Sequence, residues 1–436
     1  MSATIFALAS GSVPSAIAII RISGPSASFA VRSMCNVPGR PFSVRLCKFV
    51  DPESQELIDN GLLAWFEAPK SFCGEDTAEF HLHGGRAVVL AVLRGLVKLP
   101  GLRPALPGEF TRKAFLNGKL DLTQVEGVAD VVAAETQSQL TQALSLAGGA
   151  LASQAKIWRQ ALLGLMASVA AEMDFADEGD VPSQLPSQFF VSIDELVAEL
   201  QSVLSDGRRG EIIRDGYCVV IAGPPNVGKS SLLNYLLRRQ ASIVSATAGT
   251  TRDLIEVRLD IDGIPVILVD SAGIREGRDD VEYEGIRRAK KRAEEANLVL
   301  WVSELDSLVA PADIAVKTDV LIVGSKSDLG LPTLNNDVFA ISTISGAGIP
   351  ELVSEVTRRA RVATDGSNPS LVAHERHRAC LSLAAAALQS VFAHKDRIEL
   401  MSDDLRACCH QLESLIGVVG VEDVLEQVFS RFCIGK

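Results

Sequence analysis

The sequence lacks the cysteine patterns of a disulfide framework or a zinc finger: its eight cysteines include no CxxC pair. This absence is typical of proteins from a reducing compartment. The chain also has no apolar run of about 18 residues, the length that a membrane helix requires. No Lys or Arg precedes the apolar N-terminal stretch, as a secretory signal peptide would need. Together these absences predict a soluble, cytoplasmic protein.

An excess of basic residues is also missing. The chain has 42 Lys and Arg against 54 Asp and Glu, which gives a formal net charge of −12. Because phosphate binding depends on Lys and Arg, a protein whose whole surface grips nucleic acid is excluded. Any RNA contact must therefore be local, or supplied by a partner.

With 436 residues, the chain is longer than one hydrophobic core usually supports. Residues 1–118 combine short β-rich runs with one apolar helical stretch, which predicts an α+β domain. Helical periodicity over 119–210 predicts the first part of a helical domain. Strand-like runs alternate with helices over 211–362, which predicts a doubly wound sheet. Helical pattern returns over 363–436, so the fold is predicted to be multidomain α/β, with the sheet domain inserted into a helical domain.

The segment GPPNVGKSSLLN, Gly223 to Asn234, follows a buried-strand pattern and opens a helix. That context is the one a phosphate-binding P-loop requires. Gly223 and Gly228 let backbone amides curl around phosphates, and Lys229 reaches the β- and γ-phosphates. The Ser230 hydroxyl suits magnesium. The segment therefore predicts a nucleoside triphosphate site.

Three further segments follow in the order and spacing of a GTPase. DSAG, Asp270 to Gly273, ends an apolar strand, where a metal-side carboxylate and a γ-phosphate-sensing glycine belong. AGTTRD contains Thr251, a candidate second hydroxyl for magnesium. SKSD begins at Ser325, and its Asp328 can accept the N1 and N2 hydrogens of guanine, which adenine does not offer in that pattern. The inserted domain is therefore predicted to be a Ras-like GTPase.

Two positions depart from the usual GTPase pattern. Ile274 follows the DxxG glycine, where Ras-type GTPases carry a Gln that orients the attacking water. No arginine finger is identifiable, so the transition-state charge needs another cation. Ser325 stands where most such proteins carry the Asn of an NKxD motif, and this change is expected to weaken guanine binding.

Four blocks outside the GTPase core make the chain resemble the MnmE/TrmE family of tRNA-modification GTPases over nearly its whole length. They are IAIIRISG at 17–24, SFCGEDTAEFHLHGG at 71–85, PGEFTRKAFLNGKLDLTQVE at 107–126 and the terminal FCIGK. The resemblance implies a homodimer whose N-terminal domains bind 5,10-methylene- or 5-formyl-tetrahydrofolate as a one-carbon donor. It also implies an FAD-dependent partner, MnmG, which forms a heterotetramer with the dimer. The complex would modify C5 of the wobble uridine of certain tRNAs.

By this resemblance, the residues that match the family's folate contacts are Arg21, Glu79, Lys119 and the terminal Lys436. A folate carries a polar pterin and a carboxylate tail, for which one carboxylate and several cations are suitable partners. Without the resemblance, Arg21 and Glu79 would be interpreted as surface charges at strand edges. Cys433 belongs to the family's terminal block, and it is either a nucleophile or an inert thiol. Prenylation of Cys433 is disfavoured because Lys436 closes the chain.

The resemblance also supplies the catalytic parts that the motifs lack. A potassium ion beside the phosphates can replace an arginine finger. The residues that match the family's potassium ligands are Asn226, Ser245, Thr247 and Thr250. Glu282 matches the family's general base or water-orienting acid, although on sequence alone it would be a solvated carboxylate at a helix start. The predicted catalytic set is Glu282, Lys229 and Asn226. The predicted GTP contacts are Asn226, Val227, Gly228, Lys229, Ser230, Ser231, Ser245, Thr250, Thr251, Asp270, Gly273, Ser325, Lys326, Asp328 and Ser342.

Two other functions stay open. A ribosome-assembly GTPase acting as a binding switch shares the same core, although the sequence after Arg361 shows no KH domain with a GXXG loop. A folate-binding scaffold with a decayed GTPase gains support from Ser325. Among weaker signals, His81 and His83 share a strand face without an evident third metal ligand. The basic run at 287–292 could meet RNA, but its flanking Glu residues are equally typical of a solvated helix.

Overall fold

The computed structural model describes residues 3–36, 40–175, 185–239, 243–246, 255–270, 295–308, 319–329, 338–419, 425, 428, 429, 432, 434 and 435. Within these residues, no helix is long and apolar enough to cross a bilayer. The chain divides into two compact units. The first unit contains Met1–Ala129, Ala152–Arg159 and Cys409–Lys436, and the second contains Asp130–Leu151 and Gln160–Cys408.

The first unit is built around a six-stranded sheet. Its strands are β1 (Thr4–Leu8), β2 (Ser15–Ser23), β3 (Ser43–Val50), β4 (Leu57–Phe66), β5 (Thr77–Gly84) and β6 (Leu102–Pro104). They lie in the order β3-β4-β5-β2-β1-β6, and every neighbouring pair is antiparallel except β1 and β6. Side chains alternate along β2, so Ile20 and Ile22 enter the core while Arg21 stays half-buried on the opposite face.

The helices of the first unit are α1 (Ala27–Cys35), α2 (Arg86–Lys98), α3 (Glu109–Leu116) and α4 (Leu122–Ala133), the last of which continues into the second unit. Apolar residues of α1 and α2, among them Met34 and Leu96, share one core with Phe80 of β5. A separate cluster joins Leu122 and Val125 of α4 to Phe429 and Phe432. The predicted α+β character of the N-terminal region is confirmed.

The remaining described helices are α5 (Gln137–Ala147), α6 (Ala150–Phe175), α7 (Ser187–Asp215), α8 (Lys229–Arg239), α9 (Ile349–Thr364), α10 (Glu375–Ala393) and α11 (Ile398–Ile416). Thr136 is the N-cap residue of α5, and it forms a capping box with Gln139. The helical character predicted on both sides of the inserted sheet is present in these segments.

The second unit contains a seven-stranded sheet. Its strands are β7 (Tyr217–Ala222), β8 (Ile243–Ala246), β9 (Ile255–Ile261), β10 (Ile264–Asp270), β11 (Leu298–Glu304), β12 (Asp319–Ser325) and β13 (Val338–Ala340), in the order β13-β12-β11-β7-β10-β9-β8. The pairs β8–β9 and β9–β10 are antiparallel, and the other pairs are parallel. Val219 and Val220 enter cores on opposite faces of the sheet, as expected for a buried parallel strand. The predicted doubly wound sheet is confirmed, and its parallel strands end at one common edge.

Candidate active site

The phosphate loop, residues 223–228, connects the end of β7 to the start of α8. Gly223 has a φ of +142°, and a Cβ there would lie 1.9 Å from the carbonyl oxygen of Val302. Only glycine fits this position. Asn226 adopts a left-handed φ of 61°, which asparagine tolerates better than most residues, and its side chain is exposed. The loop therefore exposes a polar side chain, that of Asn226, at the carboxyl edge of the sheet.

Lys229 is the first residue of α8, and it is buried inside this loop. Its ammonium group donates hydrogen bonds to the carbonyl oxygens of Gly223, at 2.9 Å, and Pro224, at 2.6 Å. Burial lowers the pKa of Lys229, and the nearby Asp270 carboxylate acts in the opposite direction. A dehydrated cation thus lies where the loop closes, and it would act strongly on an anion that enters.

Ser230 and Asp270 bring a hydroxyl and a carboxylate together at the same edge. The Ser230 hydroxyl donates to Asp270 Oδ2 at 2.9 Å. Asp270 is the last residue of β10 and is almost fully buried, and it pairs in register with Ile221 of the neighbouring strand β7. The parallel pairing of β7 and β10 therefore explains why two residues distant in sequence meet here.

Ser325 performs a structural task at the end of β12. It is only 5% exposed, and its hydroxyl lies 2.6 Å from the carbonyl oxygen of Val227 and 3.1 Å from that of Ser303. A hydroxyl has one hydrogen to donate, and both neighbours are acceptors. Ser325 therefore ties β12 to the phosphate loop and has no hydrogen left for a base.

Two loops beside β12 complete this edge of the domain. Lys326 adopts a left-handed φ of 60° and forms an ion pair with Glu304, and Asp328 is exposed two residues further on. Ser342 is fully buried, and its hydroxyl accepts bonds from the amides of Ile344 and Ser345, each at 3.2 Å. Asp328 is thus free to face a ligand, whereas Ser342 shapes the loop that follows β13.

Several predicted site residues lie outside the described residues. They are Thr247, Thr250, Thr251, Gly273, Glu282, Cys433 and Lys436. The backbone of Ser245 is described as part of β8, where it pairs with Arg258. Val227 is buried under the phosphate loop, and Ser231 is exposed on α8.

In the first unit, Arg21 and Glu79 face each other across the central strands β2 and β5. Their side chains form an ion pair, with both Nε and Nη2 of Arg21 at 2.9 Å from Glu79 Oε1. His81 lies 3.3 Å from the other carboxylate oxygen. The pair is half-buried in the middle of the sheet, so the interpretation of these residues as charges at a strand edge is wrong.

Sequence reasoning missed the groups around this pair. The Arg21 guanidinium lies 6.0 Å from the ring centroid of Phe72 and 5.8 Å from that of Phe110, which is within cation–π range. The buried Lys113 donates to Glu75 Oε2 at 2.6 Å and to the Ala3 carbonyl oxygen at 2.9 Å. Phe72, Glu75, Phe110 and Lys113 lie within two of the four blocks that carry the family resemblance. Membership of these blocks is the sequence signal by which they could have been found.

Lys119 and Gly435 belong to the same unit as this sheet. Lys119 is exposed and donates to the Pro69 carbonyl oxygen at 3.0 Å. Gly435 has a φ of +103°, and a Cβ there would lie 2.2 Å from the carbonyl oxygen of Leu8. The preceding residue of β1, Ala7, pairs with Arg21. Gly435 therefore packs against the strand beside the Arg21–Glu79 pair.

A metal site at the histidines gains no support. His83 Nδ1 lies 2.8 Å from Asp59, and His374 Nε2 lies 2.8 Å from Asp130. Across the described ranges, no group of three or more His, Cys, Asp or Glu residues could hold a metal ion. The basic run at 287–292 lies outside the described residues.

Two family models and full-length relatives match this chain over nearly all of its length. A family model described as "MnmE helical domain" matches residues 122–433, and one described as "GTP-binding protein TrmE N-terminus" matches residues 4–119. The proteins named "tRNA modification GTPase MnmE" from Beijerinckia indica and Azorhizobium caulinodans are 46% and 47% identical, covering 99% and 100% of this chain and 96% and 99% of theirs. Among solved structures, Aquifex aeolicus Era bound to GDP·AlF4⁻ aligns with a TM-score of 0.28 at 27% identity, covering 39% of this chain and 66% of that one.

Proposed function

Because the chain belongs to the MnmE family of tRNA modification GTPases, we propose that it hydrolyses GTP at the phosphate loop and couples this reaction to tRNA modification. The observation that carries the proposal is the convergence of Lys229, Ser230 and Asp270 at one edge of the sheet. A buried cation, a hydroxyl and a carboxylate, 2.9 Å apart in the last pair, are the groups that phosphoryl transfer needs around a triphosphate.

Each residue has a task that follows from its contacts. The amides after Gly223 and the Lys229 ammonium bind the phosphate oxygens and hold them in place, with little reorganisation because Lys229 is already dehydrated. Asp328 accepts the N1 and N2 hydrogens of guanine. Glu282 orients or deprotonates the attacking water, a task that Ile274 is unable to perform.

Two cations complete the proposed site. Magnesium prefers oxygen ligands, and the paired Ser230 hydroxyl and Asp270 carboxylate fit it, with Thr251 as the second hydroxyl. Potassium would be held by oxygen atoms of Asn226, Ser245, Thr247 and Thr250. The exposed, left-handed Asn226 is the part of this set that the described structure supports. When bound, such cations offset the negative charge that develops on the phosphates.

Potassium chloride is expected to accelerate steady-state GTP hydrolysis over sodium chloride at equal ionic strength, on the order of 100-fold, the size of a lost transition-state donor. Asn226→Ala should lower the rate in potassium to the rate in sodium, because it removes one oxygen ligand. Glu282→Ala should lower the rate in both salts. Asn368→Ala, an exposed loop asparagine of the same unit, is the matched control.

Equal rates in both salts for the unsubstituted chain would contradict the potassium site. If the chain also bound GTP tightly but hydrolysed it no faster than the Glu282→Ala variant, a binding switch of the ribosome-assembly type would explain the site better.

A tetrahydrofolate site is proposed at the Arg21–Glu79 pair, with Lys119 and Lys436 as further contacts. The groups present fit the ligand: a carboxylate suits the donors of the pterin, and cations suit the carboxylate tail. Phe72 and Phe110 offer aromatic surface beside Arg21. When bound as the 5,10-methylene or 5-formyl form, folate supplies the one-carbon unit. Cys433 is kept as a candidate nucleophile in the same terminal segment.

Arg21→Ala is expected to weaken binding of 5-formyl-tetrahydrofolate by about 10- to 100-fold, the range for losing one charge-assisted hydrogen bond. Isothermal titration calorimetry measures the loss, and Arg94→Ala, an exposed arginine on α2, is the matched control. Thermal unfolding must be followed in parallel, because Glu79 loses its ion-pair partner. Unchanged affinity in a folded Arg21→Ala variant would place the folate elsewhere.

The partners are proposed on the same basis. Leu46, Leu62, Val44 and Ile17 lie on the sheet face that carries Arg21, and Leu46 and Leu62 are 78% and 41% exposed. Exposed apolar side chains in one patch support a homodimer. An FAD-dependent MnmG subunit would join it in the cytoplasm to modify C5 of the wobble uridine of tRNA. The proposed domains are 1–118, 119–210, 211–362 and 363–436.

A further inference from the structure

A groove of about 550 Å³ in the second unit has an unusual concentration of arginines. Arg208 and Arg209 of α7 and Arg358 and Arg359 of α9 line it, together with Ile212, Tyr217, Asn297, Asp319, Val362 and Ala363. Tyr217 and Asp319 are the first residues of β7 and β12. The groove therefore lies at the amino edge of the sheet, opposite the phosphate loop. A GTP molecule bound at the phosphate loop would not occupy it.

Carboxylates hold two of these guanidinium groups in fixed positions. Arg209 bonds to Asp206 at 2.6 and 2.8 Å and to the Asn368 carbonyl oxygen at 2.7 Å. Arg359 bonds to Glu355 at 2.8 Å and to Asp319 at 2.6 Å. Both guanidinium groups are therefore already ordered, and little side-chain entropy is lost when a ligand binds beside them.

The other two arginines face solvent. Arg358 shares Glu355 with Arg359, yet its side chain remains 62% exposed. Arg208 is exposed and forms no ion pair with any residue that the structure describes. Four arginines and one carboxylate, Asp319, line the groove. Asp206, Glu355 and Asp365 act on Arg209, Arg358 and Arg359 from beside it. The positive charge that faces solvent resides on the most exposed arginines, Arg208 and Arg358.

Two neutral side chains, Asn297 and Tyr217, also line the groove. Asn297 Oδ1 accepts the Cys218 amide at 2.8 Å, and the side-chain amide carries two N–H donors besides. The Tyr217 ring is buried, and burial, aided by the Asp319 charge, raises its pKa to about 12. Its hydroxyl is neutral at pH 7, as that of an ordinary tyrosine is. Guanidinium and amide donors together suit phosphate oxygens.

We propose that this groove binds phosphates of the tRNA backbone, with Arg208 and Arg358 making the ionic contacts. The inference rests on the proposed tRNA-modifying function and adds where the RNA is held. A chain with a net charge of −12 requires a local basic surface to hold RNA. The groove provides one on the edge of the GTPase sheet that is away from the nucleotide, so RNA and GTP can bind at the same time.

Binding of the full-length chain to unmodified tRNA, measured by fluorescence anisotropy from 50 to 200 mM salt, tests the proposal. The Arg208→Ala/Arg358→Ala double variant should bind about 10-fold more weakly for each lost contact. The plot of log affinity against log salt has a negative slope, and this slope should become shallower by about 2 in the double variant, since each phosphate contact contributes roughly −0.9. Arg406→Ala, an exposed arginine on α11 that pairs with Asp403, is the matched control and should leave both quantities unchanged.

Two results would overturn the proposal: a slope and affinity for the double variant equal to those of Arg406→Ala, or no tRNA binding by the unsubstituted chain at 50 mM salt. GTP hydrolysis is measured on the same samples. Because tRNA binding is scored without turnover, an inactive GTPase would contradict the proposed function and leave the groove result intact.

Discussion

Lys229→Ala is expected to lower kcat/KM for GTP hydrolysis on the order of 10²- to 10³-fold. The ammonium group is buried in the phosphate loop, where it donates to two backbone carbonyl oxygens at 2.9 and 2.6 Å. In that environment a cation interacts with the developing phosphate charge far more strongly than it would in water. Steady-state hydrolysis over a range of GTP concentrations measures the loss.

Folding is not expected to suffer from this change. The variant removes a buried charge together with its dehydration cost, and the Gly223 and Pro224 carbonyl oxygens can bond to water in the loop. Thermal unfolding of Lys229→Ala should therefore stay close to that of the unsubstituted chain. Arg238→Ala, an exposed arginine on the same helix, is the control for loss of charge. An active Lys229→Ala variant would remove the phosphate loop from the mechanism.

The phosphate loop could be predicted from local sequence pattern, because its parts are neighbours in sequence. An apolar strand, glycines at the turn and a lysine at the helix start predict the β7–loop–α8 unit, and the positive φ of Gly223 and Gly228 shows why those positions are glycine. The doubly wound sheet was predictable for the same reason. Each strand and helix has its own period, and parallel pairing then aligns the strand ends.

The surroundings of Arg21 were not predictable in this way. Arg21 and Glu79 are joined by strand register, which is set by packing of the whole sheet rather than by either strand alone. The residues predicted as folate contacts came from resemblance, and Lys113 and Glu75 were marked only by lying in two of the blocks that carry it. The arginine groove was not predictable from local sequence either, because α7 and α9 meet only in the folded chain.

Ser325 shows a different limit. Its place in the SKSD motif indicated a weakened contact with guanine, but its direction depends on the neighbouring loop and strand. The hydroxyl donates to the carbonyl oxygen of Val227 at 2.6 Å and lies 3.1 Å from that of Ser303, so the residue acts as a brace between the base-binding and phosphate-binding loops. Guanine recognition therefore depends more heavily on Asp328. We expect the Asp328→Asn and Ser325→Ala variants to differ in their selectivity among purine nucleotides.

Asp328→Asn is expected to weaken GTP binding on the order of 100-fold, because two charge-assisted hydrogen bonds to the N1 and N2 groups are lost. It should also improve binding of xanthosine triphosphate, whose C2 carbonyl can accept from the new amide. Inosine triphosphate, which lacks the N2 amine, should bind the unsubstituted chain more weakly than GTP but bind Asp328→Asn about as well as GTP does. Competition against a fluorescent guanine nucleotide measures all three affinities.

Ser325→Ala should behave differently, because it removes a brace and no base contact. We expect it to weaken GTP, inosine triphosphate and xanthosine triphosphate by the same factor, about 10-fold, the cost of leaving the buried Val227 carbonyl oxygen without a donor. The preference for guanine should therefore persist. Asp306→Asn, which removes a carboxylate from an exposed position just after β11, controls for loss of charge near the site. A selective loss of GTP affinity in Ser325→Ala would mean that the hydroxyl reads the base after all, and the role of Asp328 would have to be reduced accordingly.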